Sequence, residues 1–597
     1  MKVKERPSQQ VKSKYKRRVR IVTALLCIIA LALVSTAIVL QRLNMNNLGD
    51  SSLSGGENSN KFPFSFLQPS TTWQMGYIAT QNLTVEYFDD AGNVVGTVSR
   101  GAQVQFTNTE DGKVEIVANG IRGFLPKNVS VVSDPADVLP NHRLYVRTAV
   151  NLRDENGRIL PNFATKGTSV EVVGYDYFED DGNVHMYLVK FGDNKGYIMP
   201  HYLASTKADS LESYDGDGNF EIHADRDDDY GGGGGGNLDY FPREKASFED
   251  NVMPEECRTL YINGKSINRV DEYIEIANQC DINAFIVDIV DGNVISYTGE
   301  VMREVSPSTT WAAHFTQEEF QAAIQKIKDA GYYVIGRITT FNDSYLVRDH
   351  PEWAIADTNG QPLMLHGAYW PSAYCREAWQ YKVDVAIEAV ELMGFDEINF
   401  DYVRFPDRVG EYERDGTIDF RNTYNETKAQ AIQRFLMFAT DTLHEYGVYV
   451  SADVYGECAY NYITSYGQYW PAISNVVDAI CGMPYPDHFE STQTWRPWEH
   501  PYETLLDWGE RAMLRQGETA SPAQVRTWVQ SYDAMRAPFN TYGPDEVGAE
   551  ILGLRDAGCT GGYLTWNGAS PIGKYTSLIP AFTESFYVDF VPKELRD

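Results

Sequence analysis

From about Pro254 to the C-terminus, strand-like apolar runs alternate with amphipathic helical stretches, and the alternation repeats eight times. The runs are Thr259–Ile262, Ala284–Val290, Tyr333–Ile338, Glu397–Phe405, Val448–Val454, Ala479–Met483, Arg526–Gln530 and Gly562–Trp566. Between most of them lie helical patterns such as Val270–Gln279, Thr316–Ala330, Lys428–Tyr446 and Pro544–Ala557. Strands buried on both faces and separated by helices are parallel, and eight such units over roughly 340 residues predict a closed (β/α)₈ barrel with insertions. In that fold the chemistry sits at the C-terminal ends of the strands, so the residues at those ends are the ones to read.

The fourth run is the most telling. Phe395–Pro406 reads FDEINFDYVRFP, a buried strand that ends on Asp401, Tyr402 and Arg404. A carboxylate beside an aromatic ring and a guanidinium is costly to hold near a core unless the site uses it. The alternative is a plain salt bridge, Asp401 to Arg404, closing the strand. Other strand ends are polar or aromatic too: Asp288 and Asp291, then Arg337, then Asp453, Tyr455 and Glu457. Tyr485 and Asp487, Trp528 and Gln530, and Trp566 and Asn567 complete the set. Carboxylates with tryptophans and amides, and few histidines, suit sugar binding and glycosidic cleavage better than metal hydrolysis. His314, His350, His366 and His488 stand singly without ligand spacing, so no metal or cofactor is expected. Neither a G-x-S-x-G elbow nor a complete G-x-x-x-x-G-K-[ST] phosphate loop is present.

The formal charge is -32, and residues 1–20 carry nine bases and one acid, which leaves -40 on the remainder. So acidic a surface repels nucleic acid over long range. Ile21–Leu40 is twenty residues without a charge, behind a cluster of lysines and arginines. That length spans a bilayer and the basic flank stays in the cytoplasm, which predicts a single-pass anchor with the bulk of the chain extracellular. Cleavage of a signal peptide near Ser35-Thr36-Ala37 is the rival. Of seven cysteines one lies in this segment, and the other six are widely spaced, compatible with buried thiols or disulfides.

The expected organisation is a basic segment (1–20), a transmembrane helix (21–40), a Ser/Gly/Asn-rich stalk (41–70), two β-patterned segments (71–135 and 141–206), an acidic Gly-rich linker (207–250) and the barrel (251–597). The two β segments repeat one layout. Each has a lone glycine before an alternating strand (Gly101, Gly167) and a closing hairpin on Gly-aromatic (Gly123-Phe124, Gly196-Tyr197). The repeat is similar to bacterial SH3-like domains, and the second copy, with Val150-Asn151-Leu152-Arg153 and Gly196-Tyr197-Ile198, matches better. That resemblance implies modules that bind cell-wall peptide or pack beside a catalytic domain. In the linker, Asp215, Asp217, Asn219 and Glu221 alternate as a calcium loop does, but Phe220 replaces its glycine and Arg226 its last acid, so a solvated linker is expected.

The segment from Glu256 to Asp597 resembles a family of glycoside-hydrolase-like (β/α)₈ barrels built around a D-Y-V-R-F-P motif, a distant relative of α-amylase-like barrels. The resemblance rests on Asn399–Pro406, Ser451–Gly456 and Gly562–Trp566. It implies Asp401 as nucleophile and Glu457 or Asp453 as the second carboxylate. Asn399 replaces the arginine that amylase-like barrels place two residues before the nucleophile, so Arg404 is expected to supply that charge. A chitinase-type D-x-x-D-x-D-x-E motif laid over Asp396 puts Val403 where the proton-donating glutamate belongs, so the substrate-assisted route loses its proton donor. The expected substrate-binding residues are Asp288, Arg337, Tyr402, Arg404, Tyr485, Trp528, Gln530, Trp566 and Asn567, with Trp528 and Trp566 as stacking walls. The expected partner is a polysaccharide or cell-wall glycan, cleaved by two carboxylates or, alternatively, bound without cleavage.

Overall fold

The structure is a computed structural model that describes residues 73–596, apart from 110, 213–231, 236–237 and 493. Its larger part is a closed barrel of eight parallel strands: β1 (Cys257–Ile262), β2 (Ala284–Asp291), β3 (Tyr333–Thr339), β4 (Glu397–Asp401), β5 (Tyr449–Tyr455), β6 (Ala479–Met483), β7 (Gln524–Gln530) and β8 (Gly562–Trp566). β1 pairs with both β2 and β8, which closes the ring. At that seam the backbones approach closely. Gly562 sits at φ +100°, where a Cβ would lie 2.2 Å from the Cys257 carbonyl oxygen, so a side chain there would force β8 off β1.

Each strand is followed by a helix: α1 (Val270–Ala277), α2 (Gln317–Asp329), α3 (Arg376–Met393), α4 (Lys428–His444), α5 (Trp470–Ser474), α6 (Pro501–Gly517), α7 (Pro544–Asp556) and α8 (Ile572–Leu578). The local sequence dictates several of the ends. Thr316 with Glu319 and Thr427 with Gln430 form capping boxes that satisfy the first amides of α2 and α4. Gly394, left-handed, stops α3.

Alternation along the strands sorts the side chains. Leu260, Phe285, Val287, Val334, Ile398, Phe400, Val450 and Ile480 point outward into the helix layer. The interior receives Tyr261, Ile286, Ile335, Cys481, Trp528 and Leu564, together with buried polar groups. The lower interior holds a fully buried ion pair, Arg526 to Glu397 at 2.8 Å, with Tyr333 donating to Glu397 at 3.0 Å.

Two antiparallel seven-stranded sheets precede the barrel, spanning Gln74–Val132 and Arg143–Ala204. Counted within each sheet the strand order is the same, 3-2-6-5-4-1-7, so the repeat legible in the sequence is a repeat of topology. Gly101 and Gly167 hold the same left-handed turn in both. The second sheet docks on α4, which is buried along nearly its whole length. Tyr202 donates to Asp441, Arg153 donates to Thr442 at 3.1 Å, and Ile159 donates to Gln380 of α3 at 2.9 Å.

The solvated linker expected over 207–250 is corrected where the chain is described. Leu238 and Tyr240 are buried against Ala429 and Ile463. Asp239 exchanges two hydrogen bonds with Gln433, and Lys245 donates to three carbonyls at the end of α5. Apolar and hydrogen-bonded anchors thus strap this stretch to the barrel. The calcium-like run and Ile21–Leu40 lie outside the described residues, among which no helix is long and apolar enough to cross a membrane. Cys257, Cys280, Cys375, Cys458, Cys481 and Cys559 are all free thiols.

His185, held by Asp176 of its own sheet segment, ties the second sheet to the end of α4 through Glu445 at 3.6 Å. Burial lowers its pKa, but the two carboxylates outweigh burial and push it up to about 9. A raised folded-state pKa contributes stability that is complete below the unfolded value near 6.5 and is lost as pH rises through 9. The urea midpoint of the wild-type chain therefore falls between pH 6 and 9.5, and His185→Gln flattens that fall.

Candidate active site

The C-terminal end of the barrel is organised around one guanidinium. Arg337, on β3 and 1% exposed, reaches Asp288 at 2.6 Å and Asp291 at 3.0 Å with Nη1, and Asp401 with Nη2. Its Nε lies 3.8 Å from Asp453 Oδ2. The side chain sits 5.4 Å from the Trp566 ring and 5.9 Å from that of Tyr261, whose hydroxyl donates to Asp288 at 2.5 Å.

Asp401 and Asp453 stand on adjacent strands. Phe400 pairs with Ala452, so the next residue on each strand is opposite the other, at a strand spacing of about 4.8 Å. Asp401 is 5% exposed and accepts from the Tyr402 amide at 2.6 Å. Asp453 is 1% exposed; its Oδ1 accepts from Trp528 Nε1 and Asn399 Nδ2, both at 2.9 Å. Its Oδ2 is buried with no hydrogen-bond partner among the described residues. Burial first, and the charge of Asp401 second, push the Asp453 carboxyl well above the usual carboxylate range, with Arg337 opposing both. Burial likewise pushes Asp288 up to about 7 against Arg337, with Asp291 adding to the rise. One cation cannot neutralise four carboxylates, which is why Asp453 and Asp288 are pushed upward despite Arg337.

Tyr402 has φ +49°, uncommon for a bulky residue. That turn ends β4 at Asp401, four residues before the expected boundary, and it redirects Arg404. Arg404 does not supply charge to Asp401. It donates to the Phe405 carbonyl at 3.0 Å, to Asp407 at 3.3 Å and to the Tyr455 hydroxyl at 2.5 Å, and its guanidinium lies 4.4 Å from the Tyr455 ring. The charge beside Asp401 comes from Arg337, which is 1% exposed with both terminal nitrogens committed to carboxylates, and so is sealed from substrate.

Other expected residues are also placed differently. Trp528, 1% exposed, is a donor to Asp453 and no open stacking wall. Gln530 is sealed, accepting from the Asp487 amide and donating to the Tyr532 carbonyl. Asn567 is buried and donates to the Ser531 carbonyl at 2.9 Å. Tyr485 is buried and stacks on Trp566 at 6.3 Å. Glu457 is held by the hydroxyls of Tyr462 and Tyr466, at 2.8 and 2.7 Å, and makes no contact with the Arg337 cluster. The rim open to solvent consists of Tyr402, Trp566 and Asp291, all half-buried. Tyr261 went unread in the sequence, although alternation from Cys257 through Thr259 puts it inside the barrel.

A family model described as "Putative glycosyl hydrolase domain" matches residues 259–571, more than half of the chain and the whole of the strand-end cluster. The chain belongs to that family. No curated protein matches the sequence. Among solved structures, a hypothetical protein from Ruminiclostridium thermocellum is 32% identical over 33% of this chain and 97% of its own, with a TM-score of 0.28. The PgaB (BpsB) glycoside hydrolase domain from Bordetella bronchiseptica is 14% identical over 55% of this chain and 99% of its own, with a TM-score of 0.40. A group II chitinase catalytic domain from Ostrinia furnacalis is 12% identical over 57% of this chain and 98% of its own, with a TM-score of 0.33.

Removing the cation tests how the glycosyl hydrolase domain is held together. Arg337→Met leaves the carboxylates buried without their counter-charge, which costs about 3–5 kcal/mol. In urea unfolding the deficit is greatest above pH 8 and shrinks toward pH 4, as the orphaned carboxyls take up protons.

Proposed function

We propose that the protein is a membrane-anchored extracellular glycoside hydrolase that cleaves a cell-wall or other polysaccharide with Asp401 as nucleophile and Asp453 as acid/base. One observation carries this reading: two carboxyl groups on adjacent strand ends whose surroundings differ, Asp401 ion-paired to Arg337 and Asp453 buried with its carboxyl pushed upward. Environments that separate two carboxyls in this way define an acid and a nucleophile. In the first step an Asp401 oxygen bonds to the anomeric carbon while Asp453 delivers its proton to the departing glycosidic oxygen. In the second, Asp453 takes a proton from water, which attacks the same carbon and releases Asp401. Neighbouring strands set the carboxyls close together, in keeping with the roughly 5–5.5 Å of retaining enzymes. Glu457, pinned by two tyrosines, is set aside as the second carboxylate.

The two seven-stranded sheets fit the reading as SH3-like wall-binding modules, and Ile21–Leu40 fits it as an uncleaved anchor that leaves the remainder outside the cell. Membrane-bound chains should then keep their first forty residues on N-terminal sequencing; recovery of chains starting near residue 38 would instead mean signal cleavage.

The deep burial of both carboxylates favours a second reading, a barrel that binds glycan without cleaving it. Asp401→Asn separates the two. For a hydrolase, release of reducing ends from a glycan panel drops by several orders of magnitude while the urea midpoint moves little. A binding-only barrel releases no reducing ends even before substitution.

A further inference from the structure

A cleft of about 600 Å³ is lined among others by Asn293, Ser344, Tyr345, Arg348, Gln361 and Tyr369. Its volume falls in the range of small-molecule sites. It belongs to the same end of the barrel. Asn293 is two residues beyond Asp291, which holds Arg337. Ser344 opens the short helix Ser344–Asp349 that follows β3. Tyr369 donates its amide to Ser344 at 3.0 Å, and the next residue, Trp370, packs its ring 5.8 Å from that of Tyr402.

The charge of the lining is unusual for this chain. Acids outnumber bases 83 to 51, yet no carboxylate lines the cleft and one guanidinium does. Arg348 is exposed and pairs with no acid among the described residues. Its guanidinium rests 4.9 Å over the ring of Trp311, which is 73% exposed. An arginine fixed by a ring face keeps its donor fork free and loses less freedom on binding. The remaining lining groups are two tyrosines, two amides, one hydroxyl and the apolar Val347, Pro351 and Pro362, a mixture that suits the polar edge and apolar face of a sugar ring.

We propose that this cleft is a distal subsite for a sugar carrying a carboxylate, so that the substrate is an acidic glycan bound through Arg348 and cleaved at Asp401. The proposal rests on the glycosidase reading for the cleavage and stands apart from it for the binding. The acidity of the whole chain opposes such a ligand only at long range, since the Debye length at physiological ionic strength is about 8 Å. A bidentate guanidinium–carboxylate contact acts inside that distance.

The test is calorimetric titration of the full chain carrying Asp401→Asn, which reads binding without turnover. The probes are a glucuronate-containing hyaluronan hexasaccharide, a peptide-free peptidoglycan tetrasaccharide with its lactyl carboxylates, the methyl ester of each, and neutral chitohexaose. At least one acid should bind about tenfold tighter than its ester, the scale of one charge-assisted contact. The acid that does so tells uronate from lactyl recognition. Adding Arg348→Gln should remove that margin and leave ester binding within twofold, and Trp311→Ala should weaken the acid in the same direction. Both side chains are exposed, so folding is not at stake. Acid and ester binding alike, a margin that survives Arg348→Gln, or no binding by any probe would each overturn the subsite. Absence of turnover in the unsubstituted chain would count against Asp401 as nucleophile and not against Arg348.

Discussion

The barrel's upper interior depends on a single side chain. Arg337 stands among Asp288, Asp291, Asp401 and Asp453, and three of the four are almost wholly out of water. Branched aliphatic residues fill a (β/α)₈ interior at lower electrostatic cost, and buried ion clusters commonly gain little over an apolar replacement. A second ionic layer, Arg526 with Glu397, lies beneath the first. Tyr261, Asn399 and Trp528 each spend a donor on orienting these carboxylates.

The architecture was largely legible in the sequence, because a buried parallel strand leaves an uninterrupted apolar run and eight such runs leave one closed solution. The carboxylates were legible for the same reason, being polar residues at the ends of those runs. Their partners were not. A sequence pairs Asp401 with the arginine three residues on, whereas the fold supplies one from the neighbouring strand, 64 residues earlier. The left-handed turn at Tyr402 makes the difference, and nothing in its residue type announces it. Trp528 illustrates the same limit. A tryptophan at a strand end reads as a stacking wall, but strand tilt and register draw it inward, where its ring nitrogen finds Asp453.

The sheets and the strap bear on the site indirectly. α4 connects β4 to β5, the two strands that carry Asp401 and Asp453, and it is covered by the barrel, by the second sheet and by the stretch around Asp239. Asp441 is where these meet. Burial raises its carboxyl, and His201, Arg243 and Arg153 together overcome that and hold it below its ordinary range. A helix gripped on three sides leaves little freedom for the strands at its ends. The second sheet is therefore docked at a fixed orientation to the open face of the barrel, not trailed on a tether.

The upward push on the Asp453 carboxyl follows from counting charges in a confined space. With Arg337 contributing one positive charge, full ionisation of its four neighbours would leave three uncompensated negative charges within contact distance of one another. Water screens them poorly, because three of the four carboxylates are buried and Asp291 alone reaches solvent. The carboxyl whose ionised form is least supported is pushed furthest upward. Asp453 has an unpartnered oxygen and only a long approach to the guanidinium, whereas Asp401 has both an amide and a direct ion pair. The asymmetry needs no special residue. It follows from which strand carries the arginine: β3 lies next to β4 and one strand removed from β5, so its guanidinium pairs directly with Asp401 and only approaches Asp453.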